Sequence, residues 1–294
     1  MKLEYKILWL DDQIKDFIED EIIQEIEEFL SKQGFRPEII TTSKSDDFFD
    51  KLDNSYDLIL TDYHLNDVNG DEVIKRIRSQ DYSVMTEILF YTAKADLKDT
   101  DKISRVSFLE TNTLLGDHRD EVLRATLNLI ELTIKKFQNI VAMRGMIMHE
   151  TSSLDVEMEN ILQQILKKSK NPDEVISTIK KKYKKSNDEF NDSIDKVDDI
   201  DTILRTIGAS HRWRAIVRNL SDGEIKSIIA DYEKEIIMIR NKFAHAVLEQ
   251  DETGRTFFIH KADGIDFNEA FCIKIRENIL KHKQNLDSLI LEMQ

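Results

Sequence analysis

The chain is short of several things, and each shortage narrows the field. A single cysteine, Cys272, leaves no partner for an internal disulfide, which excludes a disulfide framework and fits a reducing compartment. No run of eighteen apolar residues occurs, and the start, M-K-L-E-Y-K-I, carries charge where a signal peptide needs an apolar core. Nothing therefore marks the chain for a membrane or for export, and the cytoplasm is the expected setting. Two prolines and eight glycines in 294 residues leave little material for loops, and with 34% charged residues they point to a mainly helical chain. Cations are also scarce at one end. Residues 1–120 hold 15 Lys+Arg against 28 Asp+Glu, a net of −13, and subtraction from the totals of 42 and 57 leaves 27 against 29, a net of −2. The first part should not bind polyanions by itself, so DNA is not an expected partner, whereas the second part is electrically permissive.

What is present begins with acid at the ends of apolar runs. I-L-W-L runs into Asp11 and Asp12, and D-L-I-L-T runs into Asp62, thirty residues ahead of Thr92. Four or five β-formers closed by acid are the pattern of a buried parallel strand that delivers charge to the carboxyl edge of a sheet. Three carboxylates at one edge repel unless a cation sits among them, and Mg²⁺, which takes oxygen ligands, is the natural occupant. The plainer alternative is that these acids only solvate strand ends.

The rest of the first 117 residues alternates in the same way. K-I-L-W-L, P-E-I-I-T-T, D-L-I-L-T, E-I-L-F-Y-T and V-S-F-L read as strands. Between them D-F-I-E-D-E-I-I-Q-E-I-E-E-F-L, with Ile18, Ile22, Phe29 and Leu30 near one face, S-D-D-F-F-D-K-L and G-D-E-V-I-K-R-I-R read as helices. Such βα units predict a parallel sheet with helices on both faces, and chemistry at the strand carboxyl ends.

An acidic pair after the first strand, an acid after the third, Gly70 eight positions later, and Thr92-Ala93 after the fourth resemble the receiver domain of two-component response regulators. The resemblance covers residues 1–117 and implies a flavodoxin-like, doubly wound (βα)5 domain. It also implies Asp62 as phosphoacceptor, Asp11 and Asp12 with Asp62 as Mg²⁺ ligands, Thr92 as switch hydroxyl, Phe108 as switch aromatic, and an upstream histidine kinase or other phosphodonor. One departure stands out. Receivers carry a Lys-Pro pair three residues after that aromatic, and here those positions are Thr111 and Asn112. Threonine offers a hydroxyl where lysine would bring positive charge to the aspartyl phosphate. Lys94 is a nearby cation in sequence; otherwise the domain is a degenerate receiver kept for docking or dimerisation.

Residues 118–149 read as a connecting helix, with Leu123, Leu127, Ile130, Ile134, Phe137 and Val141 recurring at three or four residues and no proline between them. Gly145 and the T-S-S at Thr151 mark the expected break, since a mid-helix glycine costs about 1 kcal/mol. His149-Glu150 beside it has the look of a phosphotransfer pair, but no glycine-rich nucleotide motif follows and a packed or capping histidine accounts for it better.

Residues 150–294 read as an all-α bundle, with helices from Leu154, from Asp173, from Asp188 to Ile207, from Asp222 to Ala246 and from Asn268 onward, and a hairpin around Thr253-Gly254. Lysines cluster from Lys167 and Lys180, and H-R-W-R begins at His211, where Trp213 is either a base-stacking platform or core. In I-I-M-I-R-N-K-F-A-H-A, Asn241 and His245 share a helix face, while Arg240, five before His245, lies about 140° round. Histidine can move a 2′-hydroxyl proton or protonate a leaving oxygen, and arginine can grip a phosphate, without metal. This segment, with the hairpin and closing helix after it, resembles the HEPN superfamily of helical domains. That resemblance implies a metal-independent endoribonuclease completed across a homodimer, with Arg240 on phosphate, His245 as acid/base and Asn241 orienting them. The chain is thus expected to be a response regulator whose receiver controls an RNA-cleaving helical domain. The competing reading is a non-enzymatic adaptor with a degenerate receiver and a helical domain that binds protein or RNA.

Overall fold

A computed structural model describes residues 3–79, 84–93, 105–113, 116–137, 140–186, 199–220, 231–250, 256–260, 263–265 and 268–293. The chain forms two compact units, Met1–Asn139 and Ile140–Gln294.

In the first unit the strands are β1 (Glu4–Leu10), β2 (Arg36–Thr42), β3 (Leu58–Asp62), β4 (Glu87–Thr92) and β5 (Val106–Glu110), all parallel and ordered β2-β1-β3-β4-β5. The helices are α1 (Ile14–Glu19), α2 (Ile22–Lys32), α3 (Ser45–Lys51), α4 (Gly70–Ile77) and α5 (His118–Phe137), with a 3₁₀ turn at Thr111–Thr113. Strand residues alternate between two cores. Tyr5, Ile7, Trp9, Leu58, Leu60, Leu89 and Tyr91 pack against Phe17, Ile22, Ile26, Leu30, Val122, Ile130 and Ile134 of α1, α2 and α5. Leu8, Leu10, Ile59, Ile88 and Phe90 pack on the other face against Phe48, Phe49, Val73, Ile74 and Ile77 of α3 and α4. Burial of one such aliphatic or aromatic side chain stabilises by about 1.5–3 kcal/mol, so this odd–even division holds both helical layers to one sheet. The order is the flavodoxin-like one, in which connections from β1 and β3 leave on opposite faces and open a crevice at the carboxyl ends.

The segment expected to be one helix from Asp16 to Leu30 is two, α1 and α2, separated by Glu21 at φ 61°. That left-handed residue breaks the 3.6-residue phase, so Ile22, Ile26 and Leu30 are buried while Ile18 is 52% exposed, against its expected place on the apolar face. Gly70 begins α4 for a steric reason: a Cβ there would lie 2.5 Å from a ring carbon of Phe90 and 2.7 Å from one of Tyr63. The Asn69 side chain caps the same helix end, accepting from the Asp71 N–H.

The second unit contains α6 (Ile140–Lys168), α7 (Pro172–Ser186), α8 (Ile200–Thr206), α9 (Ala209–Asn219), a π-helical turn at Glu233–Ile237 leading into α10 (Met238–Ala244), and α11 (Glu269–Glu292). The expected break at Gly145 and Thr151 does not occur, and α6 runs through both. Gly145 stands in open space, and the Thr151 and Ser152 hydroxyls donate back to the carbonyls of Ile147 and Met148, which spends them within the helix. Helix α9 was not legible in the pattern: Gly208 restarts the chain after α8, and Ala209, Trp213 and Ile216 form the buried face of the new helix. The expected hairpin is a three-stranded antiparallel sheet of β6 (Val247–Gln250), β7 (Thr256–His260) and β8 (Asp263–Ile265). No helix among the described residues is long and apolar enough to cross a membrane.

Candidate functional site

The parallel register places Leu10 of β1 beside Thr61 of β3, so the next residues, Asp11 and Asp62, emerge side by side at the crevice between the two strands. Asp11, Asp12 and Asp62 can each present an oxygen within 4.8 Å of the others. They line a cleft of about 420 Å³ with Gln13, His64, Asn66, Ala93, His118 and Arg119.

Each acid is held differently. Asp11 is buried; the Gln13 N–H donates to its Oδ1 at 2.7 Å and the Tyr91 hydroxyl to its Oδ2. Burial pushes its carboxyl up to about 6, with the Tyr91 and Gln13 bonds opposing and the charges of Asp62 and Asp12 adding. Asp62 is raised above the usual carboxylate range for the same first reason, against backbone N–H bonds from His64 and Tyr63. The Asn66 amide donates to Asp12. Desolvated like charges crowded together are stabilised by a cation. An all-oxygen set of hard donors fits Mg²⁺ rather than a softer metal.

Thr92, at the end of β4, is fully buried, and its carbonyl accepts from the Thr111 hydroxyl at 3.1 Å. Phe108 on β5 is half-buried with its ring against Phe90, 6.1 Å between centroids. Lys94 lies outside the described residues. Thr111, read as standing where receivers carry lysine, directly follows β5, and its hydroxyl is 2.5 Å from His118 Nδ1 at the head of α5. Burial holds the His118 imidazole below the usual histidine range, against the upward pull of Asp62 and Asp117. The neighbouring Arg119 is engaged by Asp20 at 2.8 Å. His118, Tyr91 and Asn66 are the site residues that sequence reasoning missed. Tyr91 was detectable in principle, since it alternates with Phe90 and so faces the same core as Trp9.

In the second unit Arg240, Asn241 and His245 all fall on α10 or its end, but their surroundings differ. The Arg240 guanidinium is 2.5 Å from Asp155 of α6, each side chain about one-fifth exposed. Asn241 and His245 are exposed, and the His245 N–H closes the helix on the Asn241 carbonyl at 3.3 Å. Trp213 is 3% exposed and packs its ring against Tyr232, 5.0 Å between centroids and tilted by 30°, which makes it core rather than a platform for a base. Arg212 beside it is buried too and donates from Nε to the Leu204 carbonyl at 2.7 Å. His149 is an exposed residue of α6. Lys182, His211, Arg214 and Arg218 line a groove of about 280 Å³ between α7 and α9, with Ile179 and Ala215 on its floor.

Residues 17–109 match the family model of the response regulator receiver domain. The match begins after the acidic pair, whose place comes from the strand register. The first unit is thus a response regulator receiver domain, the class in which an acidic pocket binds Mg²⁺ and a phosphodonor such as a histidine kinase acts. Among solved structures the chain is similar to the chemotaxis response regulator CheY4 of Vibrio cholerae, at 21% identity over 42% of this chain and 98% of that one, TM-score 0.31. It is also similar to the signal receiver domain of an HD domain-containing protein from Pseudomonas fluorescens Pf-5, at 22% identity over 45% and 98%, TM-score 0.30. A response regulator receiver domain protein from Clostridium thermocellum matches at 22% over 44% and 98%, TM-score 0.27. No curated protein matches the chain.

Proposed function

We propose that this protein is a response regulator that accepts a phosphoryl group on Asp62, and that its helical unit is a metal-independent endoribonuclease of the HEPN type, completed by a second copy of the chain. The observation that carries the first half is the approach of Asp11, Asp12 and Asp62 at the crevice of a receiver sheet. Asp62 would supply the attacking carboxylate. Asp11 and Asp12 would hold Mg²⁺ with it, and the ion when bound would neutralise charge on the phosphoryl oxygens. The Thr92 hydroxyl and Phe108 would respond as the switch.

For the second half, His245 is exposed at the end of α10, one turn after Asn241, where it can reach a 2′-hydroxyl, and Arg240 five residues earlier would meet the scissile phosphate. The groove lined by Lys182 and Arg218, beside an Arg214 that is paired with Glu233 at 2.7 Å, supports contact with an anionic chain. The test is incubation of the purified full chain with total RNA in EDTA. Cleavage that disappears in His245→Ala supports the reading, and cleavage that persists in that variant removes this site from consideration.

The Arg240–Asp155 pair favours a second reading, in which Arg240 ties α10 to α6 and the helical unit binds a partner without cutting. Wild-type protein that leaves RNA intact yet retains it in a binding assay selects that adaptor.

A further inference from the structure

The receiver pocket lacks lysine at position 111, and the structure shows what stands there instead. The Thr111 hydroxyl spends its hydrogen on the Thr92 carbonyl at 3.1 Å, so toward His118 it can only accept. At 2.5 Å the His118 Nδ1–H is therefore the donor, and Nε2, on the ring that lines the cleft together with Asp11, Asp12 and Asp62, becomes a second donor once the ring is protonated. Two rings hold the imidazole in place, Phe17 at 6.2 Å and Tyr91 at 5.8 Å between centroids. Arg119, which also lines the cleft, is already bound to Asp20.

We infer that His118, oriented by Thr111, takes over the task of the absent lysine and binds a phosphoryl oxygen of the Asp62 acyl phosphate through Nε2. This rests on the reading of Asp62 as phosphoacceptor. With acetyl phosphate as donor, an Asp62 oxygen forms the new bond to phosphorus while the bond from phosphorus to the acetyl oxygen breaks. Acetate leaves with that electron pair, and the His118 ring takes one proton from solvent onto Nε2 as the phosphoryl charge enters the pocket. His118, as imidazolium, contributes by donating from Nε2–H to the phosphoryl group as charge gathers on its equatorial oxygens, from a ring already fixed by Thr111, Phe17 and Tyr91. Threonine at 111 is then the orienting residue of a two-residue substitute, and the departure from the usual receiver pattern leaves the pocket functional.

The experiment incubates the full-length protein with Mg²⁺ and acetyl phosphate and follows addition of one phosphoryl group by intact mass, with Asp62→Asn identifying the acceptor. Wild type is expected to be labelled, and His118→Gln to be labelled roughly tenfold more slowly. The variant should keep the wild-type melting temperature and the wild-type response to Mg²⁺ alone. His118→Lys, which returns a cation to the same helix turn, should recover most of the rate. Labelling of His118→Gln at the wild-type rate overturns the role of His118 and leaves Asp62 as acceptor. A slow His118→Lys overturns it as well, because it reduces the histidine to a packing residue. Wild-type protein that stays unlabelled overturns the Asp62 reading, and this inference with it.

Discussion

The indole N–H of Trp9 donates to the Tyr91 hydroxyl at 2.7 Å, and that hydroxyl donates in turn to Asp11. Burial holds the Tyr91 phenol far above its usual range, so it stays a donor. A fluorophore buried in the sheet is thereby two hydrogen bonds from a cation site. Mg²⁺ is expected to change Trp9 emission in a saturable titration, with Trp213, the second tryptophan, removed as background by Trp213→Phe. Tyr91→Phe should abolish the response. It should also destabilise the receiver by about 1–3 kcal/mol, because it strands a fully buried indole N–H. An undiminished emission change in Tyr91→Phe would show that the relay does not carry the signal.

Gly70→Ala is expected to destabilise the receiver by about 1–3 kcal/mol through overpacking. The new methyl would meet the Phe90 and Tyr63 rings at 2.5 Å and 2.7 Å, and those rings are themselves packed edge-on at 5.9 Å. Thermal or urea unfolding measures the loss. A neutral result would mean that both rings can shift together.

Glu157 on α6 is half-buried, and burial raises its carboxyl from 4.5 to about 7, with Asp287 adding repulsion and Lys283 opposing. The folded value lies above the unfolded one, so its contribution to stability is fully present below pH 4.5 and is lost as the pH rises through 7. Glu157→Gln should therefore stabilise the protein at pH 8 by about 1–2 kcal/mol after allowance for solvent screening, and by almost nothing at pH 4.5. Unfolding of the helical unit at the two pH values checks both the sign and the window.

Arg240→Ala leaves Asp155 four-fifths buried and unpaired. It is expected to destabilise the helical unit by about 1–2 kcal/mol, less than a fully buried pair would, whereas His245→Ala at an exposed helix end should leave melting unchanged. Loss of RNA cleavage in His245→Ala is thus the cleaner evidence for catalysis. If His245→Ala melts earlier than wild type, that advantage disappears.

Much of the receiver was legible because its signals are local. Period-two alternation in I-L-W-L and E-I-L-F-Y-T sorts residues between two cores, and an acid just past each strand end reaches the crevice wherever parallel strands share a register. Asp11, Asp12 and Asp62 follow from those two facts alone. The helical unit was less legible. The α9 segment A-S-H-R-W-R-A-I-V-R-N carries so many charges that its buried face shows only once α6 and α7 pack against it, and Arg212 is buried because carbonyls of α8 receive it. A polar residue's sequence does not reveal whether its partner will be water or protein.

The sequence by itself determined the sheet, its two helical layers and the acidic crevice, because burial phase and strand ends are written in neighbouring residues. Tertiary structure alone decided which groups complete the crevice. His118 at the head of α5 meets Thr111, Tyr91 reaches Asp11 from eighty residues away, and in the helical unit Arg240 is held by Asp155 from eighty-five. Directional hydrogen bonds depend on where packing sets the two partners, and no local period encodes that.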